Sequence, residues 1–195
     1  MKPFSILVLG FGYVVATGAS VKGVAPLHSG IYLSAADYKG RRLTAEGDCG
    51  SKGHKIELHD LLDKAYIHVT HGSETVRYEK SGVFGFRACD GRDYRFGSNL
   101  EYQIVAAQEL YIYLREQWVG GKNRHIVRTY YFSAGSDGRV LPLTIKNLKE
   151  AFPENYAFHD RLDQAFGRRR DIAQYDDDHK MFKVNRLLTM ASTEP

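Results

Sequence analysis

The chain has 195 residues, a formal net charge of +4, 26% charged and 12% aromatic residues, and two cysteines. A chain of this length can bury a real core as one domain. Its basic residues are interleaved with acidic ones instead of gathering along one face, so nucleic acid is not an expected partner. Neither cysteine belongs to a CxxC, which excludes the zinc-ribbon and dithiol-redox signatures.

The first residues, MKPFSILVLGFGYVVATGAS, carry a positive charge at Lys2 and then an apolar run from Phe4 to Ala16. Thr17 and Ala19 are small residues suited to a signal-peptidase site. The run is too short to span a bilayer, which takes about 20 apolar residues, and it predicts a signal peptide over 1–19. Export is therefore expected, to the periplasm or outside the cell, with no membrane-spanning segment after cleavage. No cysteine follows the apolar run, so no lipid anchor is expected.

From 20 to 143 the apolar period is two. Ile56 and Leu58 alternate with Lys55, Glu57 and His59, and Ile67 and Val69 alternate with Tyr66, His68 and Thr70. Phe84 and Phe86 share one side, as do Leu100, Tyr102 and Ile104. Further on, Leu110, Ile112, Leu114 and Trp118 oppose Tyr111, Tyr113 and Arg115. This is the pattern of half-buried antiparallel strands. His71-Gly72-Ser73, Asp90-Gly91, Gly120-Gly121 and Asp137-Gly138 supply turn chemistry between the runs. A meander of about seven to nine strands follows, barrel-like or sandwich-like. Residues 31–38 are ambiguous between strand and short helix.

At Thr144 the period changes. Thr144 is placed to cap a helix with Ile145, Leu148 and Phe152 on one face. Phe158, Leu162 and Phe166 recur at helical spacing before Gly167, and Met181, Val184 and Leu188 form a last stripe. Residues 144–195 are thus a helical segment packed on the same domain, and the fold class is α+β.

The densest polar run is RRRDIAQYDDDHK. Arg168, Arg169 and Arg170 follow the Gly167 stop, where cations complement a helix C-terminus. Asp176, Asp177 and Asp178 precede the last stripe, where carboxylates cap free N–H groups. The run lacks the turn glycine and alternating acids of a calcium loop. It reads as capping.

Other chemistry is sparse. His54 and His59, five apart, and His68 and His71, three apart, each point to opposite faces of a regular strand, so neither pair chelates locally, although different strands could converge. No metal is expected from spacing alone. No nucleophile elbow, phosphate loop, dinucleotide loop or HExxH is present, so no cofactor is expected. Tyr111, Tyr113, Tyr130 and Tyr131, with Arg115 and Arg128, lie on two neighbouring predicted strands. They could line a sugar- or polyanion-binding face, or pack across strands. Cys49 and Cys89 stand at strand ends, and export supplies the oxidant for a disulfide between them.

GIYLSAADYKGRRLT, HKIEL, FGFRACDGRDYRF, LPLTIKNLKEAFPENYAFHDRLD and YDDDHKMFKVNRLL together resemble a family of small exported bacterial proteins of unknown function. The resemblance runs from about Gly30 to Leu188 and implies export and one co-folded unit. It carries no catalytic residues. The expected function is an exported binding or structural module whose partner is an envelope component, a glycan or a small ligand. The alternative is a hydrolase assembled from dispersed His and Asp or Glu residues.

Overall fold

The computed structural model describes residues 27–59, 64–167 and 171–193. The predicted signal peptide, residues 1–19, and the Arg168–Arg170 triplet lie outside the described residues.

Among the described residues, ten strands of three residues or more form in the stretch read as alternating, above the seven to nine expected: β1 (His28–Tyr32), β2 (Thr44–Asp48), β3 (His54–Glu57), β4 (Tyr66–His71), β5 (Glu74–Glu79), β6 (Gly85–Arg87), β7 (Asp93–Gly97), β8 (Leu100–Ala107), β9 (Leu110–Val119) and β10 (His125–Ala134). The short β11 (Leu141–Pro142) ends the meander. The ambiguous stretch after Gly30 is strand and then helix. Ser34 closes a capping box with Asp37 at the start of α1 (Ala35–Lys39), and this local bonding ends β1.

Two sheets divide these strands. The main sheet has the order β11-β10-β9-β8-β7-β6-β1-β2, and β3-β4-β5 form a separate antiparallel sheet inserted between β2 and β6. The main sheet ends in two edges, β11 and β2, so it does not close as a barrel. The architecture is α+β, as expected.

The disulfide between Cys49 and Cys89 joins the two ends of this insertion, with Cα atoms 5.4 Å apart. The bridge links the ends of β2 and β6, the two strands that flank β1. It therefore clamps the neck of the inserted sheet.

Register decides what covers each face of the main sheet. Phe86 pairs with Tyr94, Tyr94 with Gln103, Gln103 with Leu114 and Leu114 with Tyr130, so these share one face. At the β1 end this face is covered by the inserted sheet, with Ile31, Phe86 and Phe96 packing against Ile67 and Val69. At the β10 end it is covered by helices, with Leu110, Ile112 and Phe132 packing against Leu148, Phe158, Leu162, Phe166, Val184 and Leu188. The opposite face carries the tyrosines Tyr102, Tyr111 and Tyr113, with Tyr38 of α1 packed against them.

The helices are α2 (Ile145–Ala151), α3 (Tyr156–Phe166) and α4 (Lys183–Ser192). Thr144 caps α2 as expected, its hydroxyl accepting from the Asn147 N–H at 3.1 Å. All three apolar residues predicted for α3 are buried. Asn185 of α4 is also buried, and it is bonded twice to the backbone at the start of β9. Its Oδ1 accepts from Leu110 N–H at 3.0 Å, and its Nδ2 donates to Leu110 C=O at 3.1 Å. An apolar residue there would orphan both backbone groups.

The aspartates correct the reading from sequence. Asp176, Asp177 and Asp178 do not cap α4, whose N-cap is Phe182 with no side-chain cap bond. Asp176 ends β12 (Tyr175–Asp176), which pairs with β13 (Met181–Phe182), so the triplet opens the turn between the two strands and β13 stands between it and the helix. Asp176 instead closes the turn, accepting from His179 N–H at 3.1 Å and from Arg186 Nη1 at 2.8 Å. The His179 bonds, with Arg186 behind them, hold its carboxyl well below the usual carboxylate range. No helix among the described residues is long and apolar enough to cross a membrane.

Candidate functional site

Between the inserted sheet and the helical layer, the covered face of the main sheet is left open as a groove of about 420 Å³. Its floor is apolar and aromatic. Tyr94 stacks on Phe86 with ring centroids 4.9 Å apart and the planes 6° from parallel. Phe86 is buried and Tyr94 half-buried, and burial raises the Tyr94 phenol above its ordinary pKa. Leu58 and Leu114 add apolar wall; Arg92, Glu101, Gln103, Arg115 and Glu116 supply charge and amide groups. The groove continues past Leu58, Phe86 and Ala88 into a smaller pocket of about 300 Å³ that reaches Ser29, His54 and the disulfide.

An apolar floor with a few convergent polar groups is the usual make-up of a small-ligand site. One groove carboxylate is already engaged within the fold. Glu101 accepts from Lys80 Nζ at 2.5 Å, and Lys80 is itself buried, donating also to Asn99 C=O at 2.9 Å. Glu116 accepts from Arg128 Nε at 2.8 Å at the exposed rim.

The aromatic face expected from Tyr111, Tyr113, Tyr130, Tyr131, Arg115 and Arg128 does not form. Tyr130 lies on the helix-covered face and packs on Phe182, with centroids 6.0 Å apart. Tyr131 lies on the opposite face against Tyr102. Tyr111 and Tyr113 are on that face too and are buried, Tyr113 completely. Their hydroxyl chemistry is structural: Arg95 Nη1 donates to Tyr113 Oη at 2.8 Å and to Ser133 Oγ at 3.1 Å. Successive strand residues point to opposite faces, so Tyr130 and Tyr131 could never share one. Arg115 alone of the six lines the groove; Arg128 reaches it only through Glu116.

The histidines obey the parity argument and are then regrouped by register. His54 and His59 do face opposite ways, as do His68 and His71. Across the β3–β4 pair, however, His54 stands opposite His71 and Glu57 opposite His68. On the outer face of the inserted sheet, His59 Nε2 lies 3.0 Å from His68 Nδ1. Glu57, His59 and His68 offer one ligand atom each within 4.8 Å of one another. Tyr66 walls this cluster, 5.4 Å from His59 and 5.2 Å from His68, with the Arg77 guanidinium 3.9 Å above its ring. His59 has φ of 57°, a left-handed conformation that costs an L-residue about 1–2 kcal/mol. Lys55, followed by the two imidazoles, holds the Glu57 carboxyl below its ordinary pKa. Local spacing did not reveal this cluster; the pairing of HKIEL with YIHVTH could have.

On the inner side, Ser29 Oγ and His54 Nε2 are 2.5 Å apart. The His54 ring lies on Gly47, in the space a Cβ would need. Its Nδ1 is buried with no hydrogen-bond partner among the described residues. A serine nucleophile needs its histidine oriented by a third group and needs access to substrate. Ser29 is 2% exposed. The pair reads as a packing contact.

No protein-family model, no curated protein and no solved structure matches this chain.

Proposed function

We propose that the chain is an exported binding module, a saccharide-type ligand being held in the groove over Tyr94. The observation that carries this reading is the stacked Phe86–Tyr94 floor beneath Arg92, Gln103, Arg115 and Glu116. Sugar rings present C–H faces that pack on aromatic rings and hydroxyl rims that pair with guanidinium, amide and carboxylate groups. The groove is held open from both sides by packed layers, so the ligand meets a preformed surface and little ordering entropy opposes binding. Export is supported by the disulfide and by the apolar N-terminus read from the sequence. The resemblance to small exported bacterial proteins belongs to the same reading.

The hydrolase alternative draws its support from the Ser29–His54 contact at the inner end of the groove. The burial of Ser29 and the unpartnered His54 Nδ1 weigh against it, and the binding reading stands ahead.

Binding of the purified chain to an immobilised panel of neutral and acidic oligosaccharides tests this. Wild type is expected to retain a subset of the panel. Tyr94→Ala and Gln103→Ala are expected to lose that retention, while Trp118→Ala, at the 68% exposed tip of the β9–β10 hairpin, keeps it. No retention by wild type, or retention unchanged in Tyr94→Ala, would overturn the reading.

A further inference from the structure

We infer that Glu57, His59 and His68 form a binding site for a divalent transition ion of the zinc class. The site is on the outer face of the inserted sheet, away from the groove, and is independent of the ligand proposed there.

The strand pattern builds it. Glu57 and His68 stand directly opposite in the β3–β4 register, so their side chains leave the same face side by side. His59 is two residues beyond Glu57 and belongs to the same face by strand parity. Leu58, between them, turns the other way into the groove. A regular strand would carry His59 on past the end of β3. Its left-handed backbone instead brings the ring within 3.0 Å of His68. Residues held in such conformations concentrate at functional sites, and the inference here runs from the observed outlier to the site.

The distances suit a metal. Zinc takes imidazole nitrogens at about 2.0–2.1 Å in a tetrahedron, which separates two such nitrogens by about 3.3–3.4 Å. The observed 3.0 Å therefore needs an opening of only a few tenths of an ångström. With both lone pairs turned inward, the ion takes the place of the N–H between the two rings, and that proton moves to the other nitrogen of its own ring. The third donor is the Glu57 carboxylate, which stands opposite His68 across the strand pair. Lys55 Nζ holds Oε1 of Glu57 at 2.5 Å, and the carboxylate has a second oxygen to offer.

Two imidazoles and one carboxylate make a borderline donor set that favours zinc, nickel or copper over calcium or magnesium. Three protein ligands leave a fourth position for water or an external group. Tyr66 limits how the two rings can turn, as outer-shell groups commonly do. All three ligands are half-buried, so the ion can enter from solvent without rearrangement of the sheet.

Isothermal titration of zinc chloride into the full, disulfide-intact chain, freed of metal beforehand, tests the site. One ion per chain is expected. His59→Ala and His68→Ala are each expected to weaken it by more than about tenfold, and Glu57→Gln by about tenfold. His125→Ala, at the end of the β9–β10 hairpin, should bind as wild type does. Should a histidine variant fail to fold, cobalt(II) added to the wild-type chain decides. The imidazole resonances of His59 and His68 must then show the largest paramagnetic shifts of all eight histidines. Absence of binding by the folded wild type, or binding that survives loss of both His59 and His68, would overturn the proposal. Largest shifts on other histidines would do the same.

Discussion

Glu101→Gln tests how the groove is anchored to the core. The Lys80 side chain is 1% exposed, whereas that of Glu101 is 18% exposed and faces the groove. Lys80 Nζ donates to Glu101 Oε1 and Asn99 C=O and sits 5.6 Å from the centre of the Phe96 ring. Glutamine keeps the shape and an acceptor oxygen but removes the negative charge. An ammonium is then left in a closed, largely apolar setting. Breaking a buried pair from one side costs about 3–5 kcal/mol; partial access of water through the groove places Glu101→Gln near 3 kcal/mol. Lys80→Met removes the more deeply buried charge and leaves a carboxylate that groove water can solvate, so it should cost less, about 1–2 kcal/mol. The double variant should resemble Lys80→Met, giving a coupling of about 3 kcal/mol, the whole cost of Glu101→Gln alone. Urea unfolding of the four proteins, followed by circular dichroism with m-values held equal, measures each term. The reasoning fails if Glu101→Gln costs less than Lys80→Met, or if the two changes add without coupling.

Two further outcomes are expected. Replacing both Cys49 and Cys89 opens a loop with a sequence separation of 40, which chain entropy values at about 4 kcal/mol. A measured loss of 2–4 kcal/mol in denaturant midpoints is expected, with earliest hydrogen exchange in β3–β5; two reactive thiols per denatured, unreduced chain would refute the bridge. Burial pushes the Tyr38 phenol up to about 12, and burial with the hydrogen bond to Asp93 raises Tyr32 as well. The folded state thus favours the neutral phenol. That stability is fully present below the unfolded pKa near 10 and is lost as pH climbs from 10 towards 12, by roughly 2 kcal/mol for Tyr38. Phenolate absorbance rising together with loss of near-ultraviolet dichroism would show it; phenols that all titrate near 10 on an intact fold would contradict it.

Sequence alone determined the periods, because side-chain direction in a strand or helix follows from backbone geometry within a few residues. Ile56 and Leu58 do face the core while Glu57 and His59 face out, and Phe158, Leu162 and Phe166 do form the buried stripe of α3. The cap at Thr144 and the pairing of the two cysteines were legible for the same reason: a hydroxyl three residues before a free N–H, and a pair with no other partner. Tertiary structure decided everything that depends on which strand lies beside which. It placed β3–β5 in a sheet of their own, and it paired β12 with β13 so that the Asp176 triplet opens a hairpin turn instead of capping the helix. It also formed both candidate sites. The groove exists because two layers cover the ends of one face and leave its middle bare. The cluster exists because cross-strand register sets Glu57 beside His68 and the left-handed backbone at His59 turns its ring onto the same pair.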